Sequence, residues 1–107
     1  MDPQVIDVRR MIALLTYHRL LGDRSAIIYD DKYRGAVKTY IRPLLDRFGF
    51  KEVLTLDPIH AKGMEFDNVF VVGMAQSTYN ERYVACSRAL NELYIVQAGG
   101  KDNGSAE

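Results

Sequence analysis

The chain has 107 residues, of which 48% are apolar and 26% charged, with 14 basic and 14 acidic side chains. These values are typical of one soluble globular domain. Because the net charge is zero, the overall charge does not favour binding to nucleic acid or to an anionic membrane. Cys86 is the one cysteine, so no internal disulfide can form, and no apolar run approaches the roughly 20 residues of a membrane span. We therefore expect a cytoplasmic protein without a membrane partner.

The first segment predicts a helix followed by a strand. Asp2-Pro3 is typical of a helix start, because aspartate caps the free N–H groups and proline fits the first turn. Apolar residues then recur at helical spacing as far as Gly22, a residue suited to a left-handed helix end. Ser25–Tyr29 is a short apolar run that favours a buried strand.

A second helix follows this strand. Asp30 or Asp31 should cap its start, and Gly49 should end it. Pro43 has no N–H group, so the carbonyl of Thr39 loses its partner. We expect a kink or a break in this helix near Pro43.

The second half of the chain predicts three more strands and a helix. The strands are expected at Glu52–Leu56, Asn68–Gly73 and Glu92–Gln97. Thr78 and Glu81 have the spacing of a capping box, so a helix should run from Thr78 to Asn91.

Helices that alternate with short apolar strands predict an α/β fold with a parallel sheet covered by helices on both faces. Residues 1–98 should form this single domain, and residues 99–107, which are small and polar, a flexible tail. Ligands of such sheets bind beyond the carboxyl ends of the strands. We expect the two stretches described next to lie near that edge.

The stretch Lys62 to Phe66, KGMEF, has the chemistry of a ligand loop. Gly63 lets the backbone approach a ligand, Glu65 could accept hydrogen bonds from ligand hydroxyls, and Lys62 could neutralise a phosphate. The alternative is a surface turn, with Met64 and Phe66 packed in the core.

Arg88 is the second candidate. In the predicted helix it lies about half a turn from the apolar stripe, so a rigid helix would present its guanidinium to a cleft. The alternative is a solvated charge on an exposed face.

These two stretches together resemble motifs of superfamily 1 DNA helicases of the UvrD/Rep/PcrA type. Ala61 to Gly73, AKGMEFDNVFVVG, looks like motif V, and Tyr83 to Ala89, YVACSRA, looks like motif VI. The longer string YVACSRALNEL is most similar to the helicase IV and HelD-like branch. The likeness covers about Arg24 to Val96.

The resemblance implies the fold and the nucleotide site. It implies the second, C-terminal RecA-like domain of such a helicase, without a phosphate loop of its own. Arg88 matches the catalytic arginine that reaches the γ-phosphate of ATP held on the first RecA-like domain, and such arginines are worth roughly 10³ to 10⁵ in rate. Glu65 matches the residue that contacts the nucleotide ribose, with Gly63 beside it.

The resemblance also implies a contact with single-stranded DNA in the loop that precedes motif V. The expected residues are Asp57, His60 and Lys62. The family often has Thr-x-His there, whereas an ungapped alignment gives Asp57 and Ile59, with His60 one position later. An aspartate at this place would repel a phosphate.

The chain contains no G-x-x-x-x-G-K-[ST] phosphate loop and no acidic magnesium motif. It should therefore not hydrolyse ATP alone, and no metal site of its own is expected. The resemblance implies that ATP and Mg²⁺ belong to the full-length parent, with an N-terminal RecA-like domain and single-stranded DNA as partners. The alternative is a non-catalytic helicase-like module that docks on a protein such as RNA polymerase or a repair protein.

Overall fold

The computed structural model describes residues 4–73 and 87–97, which form one five-stranded, wholly parallel sheet. The spatial order of the strands is β1-β5-β4-β2-β3. Their bounds are Gln4–Ile6 (β1), Ser25–Tyr29 (β2), Leu54–Leu56 (β3), Met64–Val72 (β4) and Ser87–Val96 (β5).

Helical segments connect the strands. The α-helices are Val8–Leu20 (α1), Arg34–Ala36 (α2), Arg42–Arg47 (α3) and Pro58–Ala61 (α4), with a 3₁₀ turn at Asp31–Tyr33 and a π-helical segment at Val37–Ile41. None of these described helices is long and apolar enough to cross a membrane.

The first helix begins later than the sequence indicates. Its N-cap is Asp7, whose carboxylate accepts a 2.7 Å hydrogen bond from the backbone N–H of Arg10. The expectation of a helix start at Asp2-Pro3 is wrong, because Gln4–Ile6 pairs with β5 as an edge strand. The predicted end is confirmed, since Gly22 follows α1 with φ +79°.

The second helical region is irregular next to Pro43 but continues through it. Asp30 caps its start, and Gly49 ends it at φ +79°. The π-helical segment Val37–Ile41 lies directly before the turn that contains Pro43. The proline removes one N–H from the helical ladder, and the wider π turn absorbs the resulting mismatch.

The last predicted helix is wrong over its described part. Residues 87–91, expected to be helical as far as Asn91, belong to β5. Pairing with β4 supplies their backbone hydrogen bonds, and this tertiary contact outweighs the helical periodicity of the sequence. The predicted start of this helix at Thr78 lies outside the described residues.

The sheet has an apolar core on each face. Met11 and Leu15 of α1 pack on one face together with Val37 and Leu45 from the second helical region. On the other face, Ala61 of α4 packs against β-strand side chains such as Phe66. The predicted α/β class with helices on both faces of a parallel sheet is therefore confirmed. The predicted tail at 99–107 lies outside the described residues.

Candidate functional site

Two of the predicted nucleotide-site residues lie side by side at the amino ends of β4 and β5. Glu65 and Arg88 are partners in the register of these strands, and adjacent strands run about 4.8 Å apart. The two residues belong to different motifs and are joined by the parallel ladder. The fold thus brings the acidic residue of one motif and the basic residue of the other to one end of the sheet.

Gly63 leads the chain into β4 from α4. Its φ of +82° lies in the left-handed region, which residues with a Cβ rarely adopt. A Cβ built there would meet no atom within 4 Å, so the space beside this backbone is open. This geometry permits the close approach of a ligand that the sequence predicts.

The start of β4 combines core packing with exposure. Phe66 is buried against Ala61, as the surface-turn alternative predicts, whereas Lys62 and Glu65 are exposed. The two interpretations are therefore compatible. The aromatic residue anchors the segment, and the charged residues on either side of the turn face solvent.

The pair lies at the opposite end of the sheet from the one expected. Glu65 precedes Asn68, and Asn68 is level with Ser25, the first residue of β2. Glu65 and Arg88 therefore extend beyond the amino end of β2. The expectation of a carboxyl-edge position is wrong for them because β4 and β5 begin earlier than their apolar runs indicate.

The carboxyl end of β3 carries a network of charged side chains around Asp57. One carboxylate oxygen of Asp57 accepts a hydrogen bond from the backbone N–H of His60 at 2.8 Å and pairs with His60 Nδ1 at 2.7 Å. The other accepts a 3.2 Å hydrogen bond from the Arg34 guanidinium, which also pairs with Asp31. Asp57 is therefore the N-cap of α4 and its link to α2.

The Asp57 side chain is only 7% exposed. The hydrogen bonds from the backbone and ring of His60 hold the pKa of this carboxyl below its ordinary value. The ion pair raises the pKa of Arg34, mainly through Asp31. Asp57 is thus an ionised, nearly enclosed capping group, and this role accounts for the aspartate where the family often has threonine.

The other residues predicted to contact nucleic acid remain accessible. The side chain of His60 is 73% exposed, and Lys62 is exposed at the end of α4. Ile59, at the position where the sequence resemblance predicts a histidine, is 81% exposed. The loop therefore presents one apolar, one imidazole and one ammonium group to solvent.

The two predicted sites are well separated. Leu56, which precedes Asp57, is level with Ile28 and through it with Val71. Glu65 lies six positions before Val71 along β4, a distance of about 20 Å. The structure groups Asp57 with His60 and Glu65 with Arg88, but does not join the two groups.

Sequence reasoning missed Arg34 as part of this network. The only local signal was its spacing from Asp31, because residues three apart on a helical turn are neighbours. The contact with Asp57 spans 23 positions and has no sequence signature.

Metal-ligating side chains do not gather in the part of the chain that the structure describes. Within residues 4–73 and 87–97, no group of three or more His, Cys, Asp or Glu could hold a metal ion.

Comparisons with known proteins agree with this fold. No protein-family model and no curated protein sequence matches the chain. A solved structure does match, namely the C-terminal domain of a possible DNA helicase from Lactobacillus plantarum WCFS1. The two chains are 26% identical and superpose with a TM-score of 0.66, over 91% of this chain and 74% of that one. The chain is therefore similar in fold and sequence to the C-terminal domain of a possible DNA helicase.

Proposed function

We propose that this chain is the C-terminal RecA-like domain of an ATP-dependent, UvrD-like helicase or translocase of superfamily 1. In this proposal it forms one wall of an ATP site whose phosphate loop and Mg²⁺ ligands belong to another RecA-like domain. It also carries part of the track for single-stranded DNA. The similarity to a helicase C-terminal domain and the two motifs support the proposal.

The observation that carries the proposal is the register pairing of Glu65 with Arg88. A ribose and a γ-phosphate belong to one nucleotide, separated by two phosphates, so the groups that contact them must come from one region of the protein. Motif V and motif VI meet that requirement only if their strands are neighbours in the sheet, as β4 and β5 are. The accessible backbone at Gly63 adds room for the ligand.

The proposed roles follow from chemistry. Arg88 would place a permanent positive charge against the γ-phosphate as negative charge develops there. Glu65 would accept hydrogen bonds from the ribose hydroxyls. ATP would close the cleft between the two domains, hydrolysis would reopen it, and this cycle would move the chain along a DNA strand.

The test is a reconstitution with the phosphate-loop domain of the same helicase, measured as ATP hydrolysis with and without single-stranded DNA. The chain alone should show only background hydrolysis, and the pair should be active. Arg88→Ala should reduce the rate by roughly 10³- to 10⁵-fold.

Arg47 offers a matched control because it is exposed at the end of α3. Arg47→Ala should leave the rate unchanged, which separates loss of the finger from loss of any surface charge. Full activity of Arg88→Ala in the reconstituted pair would contradict the assigned role.

A second candidate function is a non-catalytic module that docks on a protein such as RNA polymerase or a repair protein. The exposed Ile59 favours it, because an apolar side chain takes the place of a DNA-contacting histidine. Salt dependence distinguishes the two. A motor domain should bind single-stranded DNA with an affinity that falls as salt rises, because phosphate contacts release counterions, whereas a protein-docking module should not bind it.

A further inference from the structure

A mainly apolar groove opens at the carboxyl end of the sheet and is not used by the nucleotide site. Its volume is about 420 Å³. Val8 and Val72 line it from α1 and β4, and Tyr33, Val37, Tyr40 and Ile41 line it from the second helical region. The π-helical segment supplies three of these residues, and such irregular turns often occur at functional sites.

The groove lies at the same end of the sheet as the loop predicted to contact nucleic acid. Val72 is the last residue of β4, and Arg34, one position after Tyr33, forms the ion pair with Asp57. That pair joins the helical wall of the groove to α4, which presents His60 to solvent. The groove and the start of α4 therefore share the carboxyl end of the sheet, on opposite faces of it.

The two tyrosines differ in exposure. Tyr33 is partly buried and lies against the backbone of Gly73, where an added Cβ would overlap its ring. Tyr40 is 72% exposed at the edge of the groove. An exposed aromatic ring and a partly buried one therefore line the same groove.

The charge of the helical wall is complementary to a phosphate backbone. Residues 31–42 contain four basic side chains and one acidic one, and two of the four, Arg34 and Arg42, are paired with carboxylates. Lys32 and Lys38 are exposed, and within the described ranges neither has an ion pair with a carboxylate. Aromatic rings combined with unneutralised cations are the chemistry by which proteins bind single-stranded nucleic acid.

We propose that Tyr40, supported by Tyr33, stacks an unpaired base of a single-stranded nucleic acid in this groove, with Lys32 and Lys38 facing its phosphates. The inference rests on the proposed function and extends it from the α4 loop to the second helical region. Removal of the stacking ring should weaken binding between roughly 5- and 100-fold, as loss of one base–aromatic stack does.

The chain has no tryptophan, so a single introduced indole reports on this site alone. Tyr40→Trp should show quenched fluorescence when a ten-residue oligothymidylate or oligouridylate binds, and little quenching with an abasic strand of equal length. Tyr17→Trp is the matched control, because Tyr17 is 55% exposed but lies near the other end of α1. Its emission should not change.

Fluorescence anisotropy of a labelled oligothymidylate measures binding independently of the indole. Tyr40→Ala should bind roughly 5- to 100-fold more weakly, with unchanged far-UV circular dichroism. Tyr40→Phe should keep the wild-type affinity. Suppose that the wild type binds with a clear salt dependence, but that Tyr40→Ala binds equally tightly and Tyr40→Trp shows no quenching. The groove inference is then overturned, and the proposed function stands. If no variant or wild type binds the strand at low salt, the proposed DNA track fails, and the groove inference fails with it. An indole signal in Tyr40→Trp that depends on protein concentration instead would show that a second copy covers the groove, which also overturns the inference.

Discussion

Glu65 and Arg88 are register partners on the adjacent parallel strands β4 and β5, although 23 positions separate them in the chain. Both residues lie in strands, whereas the helical spacing of the second motif predicts a helix at Arg88. A backbone ladder holds both, and such a ladder leaves little freedom along the strand direction. The ladder therefore fixes the backbone positions of the two residues relative to each other.

The first prediction concerns the ribose contact of Glu65. Glu65→Ala in the reconstituted pair should reduce the preference for ATP over 2′-deoxy- and 3′-deoxy-ATP, because the carboxylate accepts bonds from those hydroxyls. Loss of a charge-assisted hydrogen bond costs about 1.5 to 3 kcal/mol, which is roughly 10- to 150-fold in kcat/KM for ATP. Steady-state hydrolysis of the three nucleotides measures it.

Asp46→Ala is the control for this experiment, since Asp46 is an exposed carboxylate on α3. It should leave the nucleotide preference intact. Equal losses with all three nucleotides in Glu65→Ala would assign Glu65 a structural role.

The second prediction concerns the capping carboxylate of Asp57. Asp57→Ala removes the N-cap of α4 and one partner of Arg34, and caps contribute about 1 to 2 kcal/mol to the free energy of unfolding. The pKa of Asp57 is lowered in the folded protein, so its contribution is fully present above the ordinary value of 3.8 and is lost as pH falls below it.

Urea unfolding followed by circular dichroism between pH 3 and pH 7 tests this sign. The stability difference between wild type and Asp57→Ala should be largest near neutral pH and should shrink on acidification. A difference that is constant across this range would show that the carboxylate charge is not involved.

The third prediction uses three glycines to separate backbone strain from a steric contact. Gly73 has φ +83° and no room for a Cβ beside Tyr33, Gly22 has φ +79° and open space, and Gly35 has open space without a left-handed φ. Alanine at Gly22 should lower the free energy of unfolding by about 1 kcal/mol through backbone strain alone. Alanine at Gly73 should lower it by about 1 to 3 kcal/mol more, the usual cost of overpacking.

Alanine at Gly35 should instead stabilise the protein by about 0.5 to 1 kcal/mol, because it lowers the entropy of the unfolded chain within a helix. Chemical denaturation of the three variants gives this order directly. Equal costs at Gly73 and Gly22 would refute the close contact between Gly73 and the Tyr33 ring.

The fourth prediction concerns a buried polar chain that joins α1 to β5. His18 is buried, with Nε2 2.9 Å from the Tyr94 hydroxyl and Nδ1 3.1 Å from an Asp23 carboxylate oxygen. Tyr94→Phe leaves the ring stack on Phe70 in place but removes the partner of the histidine. Leaving that nitrogen unsatisfied should cost about 1 to 3 kcal/mol of stability.

Alkaline pH tests the same residue. Burial raises the pKa of Tyr94 above its ordinary 10.0, so its contribution to stability is complete below pH 10 and is lost as pH rises further, when the unfolded chain ionises first. Tyr94→Phe should flatten this alkaline decline, whereas Tyr17→Phe, at an exposed position, should not. An unchanged decline in Tyr94→Phe would place its cause elsewhere.

Local chemistry was enough to predict some parts of the fold. The bounds of Ser25–Tyr29 were predicted correctly. A short apolar run between polar turns can bury its side chains and pair its backbone groups inside a parallel sheet. Gly49 and the irregular turn before Pro43 were also predictable, since a positive φ and a missing N–H act on immediate neighbours.

The sequence by itself determined the strand-and-helix alternation, and with it the parallel α/β class, together with the residue types of two motifs. Only the tertiary structure decided that Gln4–Ile6 is a strand, that Arg88 lies in a ladder beside Glu65, and that Asp57 caps α4 against Arg34. The physical reason is that a helix end is stabilised by residues a few positions away. An edge strand, a register or a buried ion pair instead depends on partners that only the folded chain brings into contact.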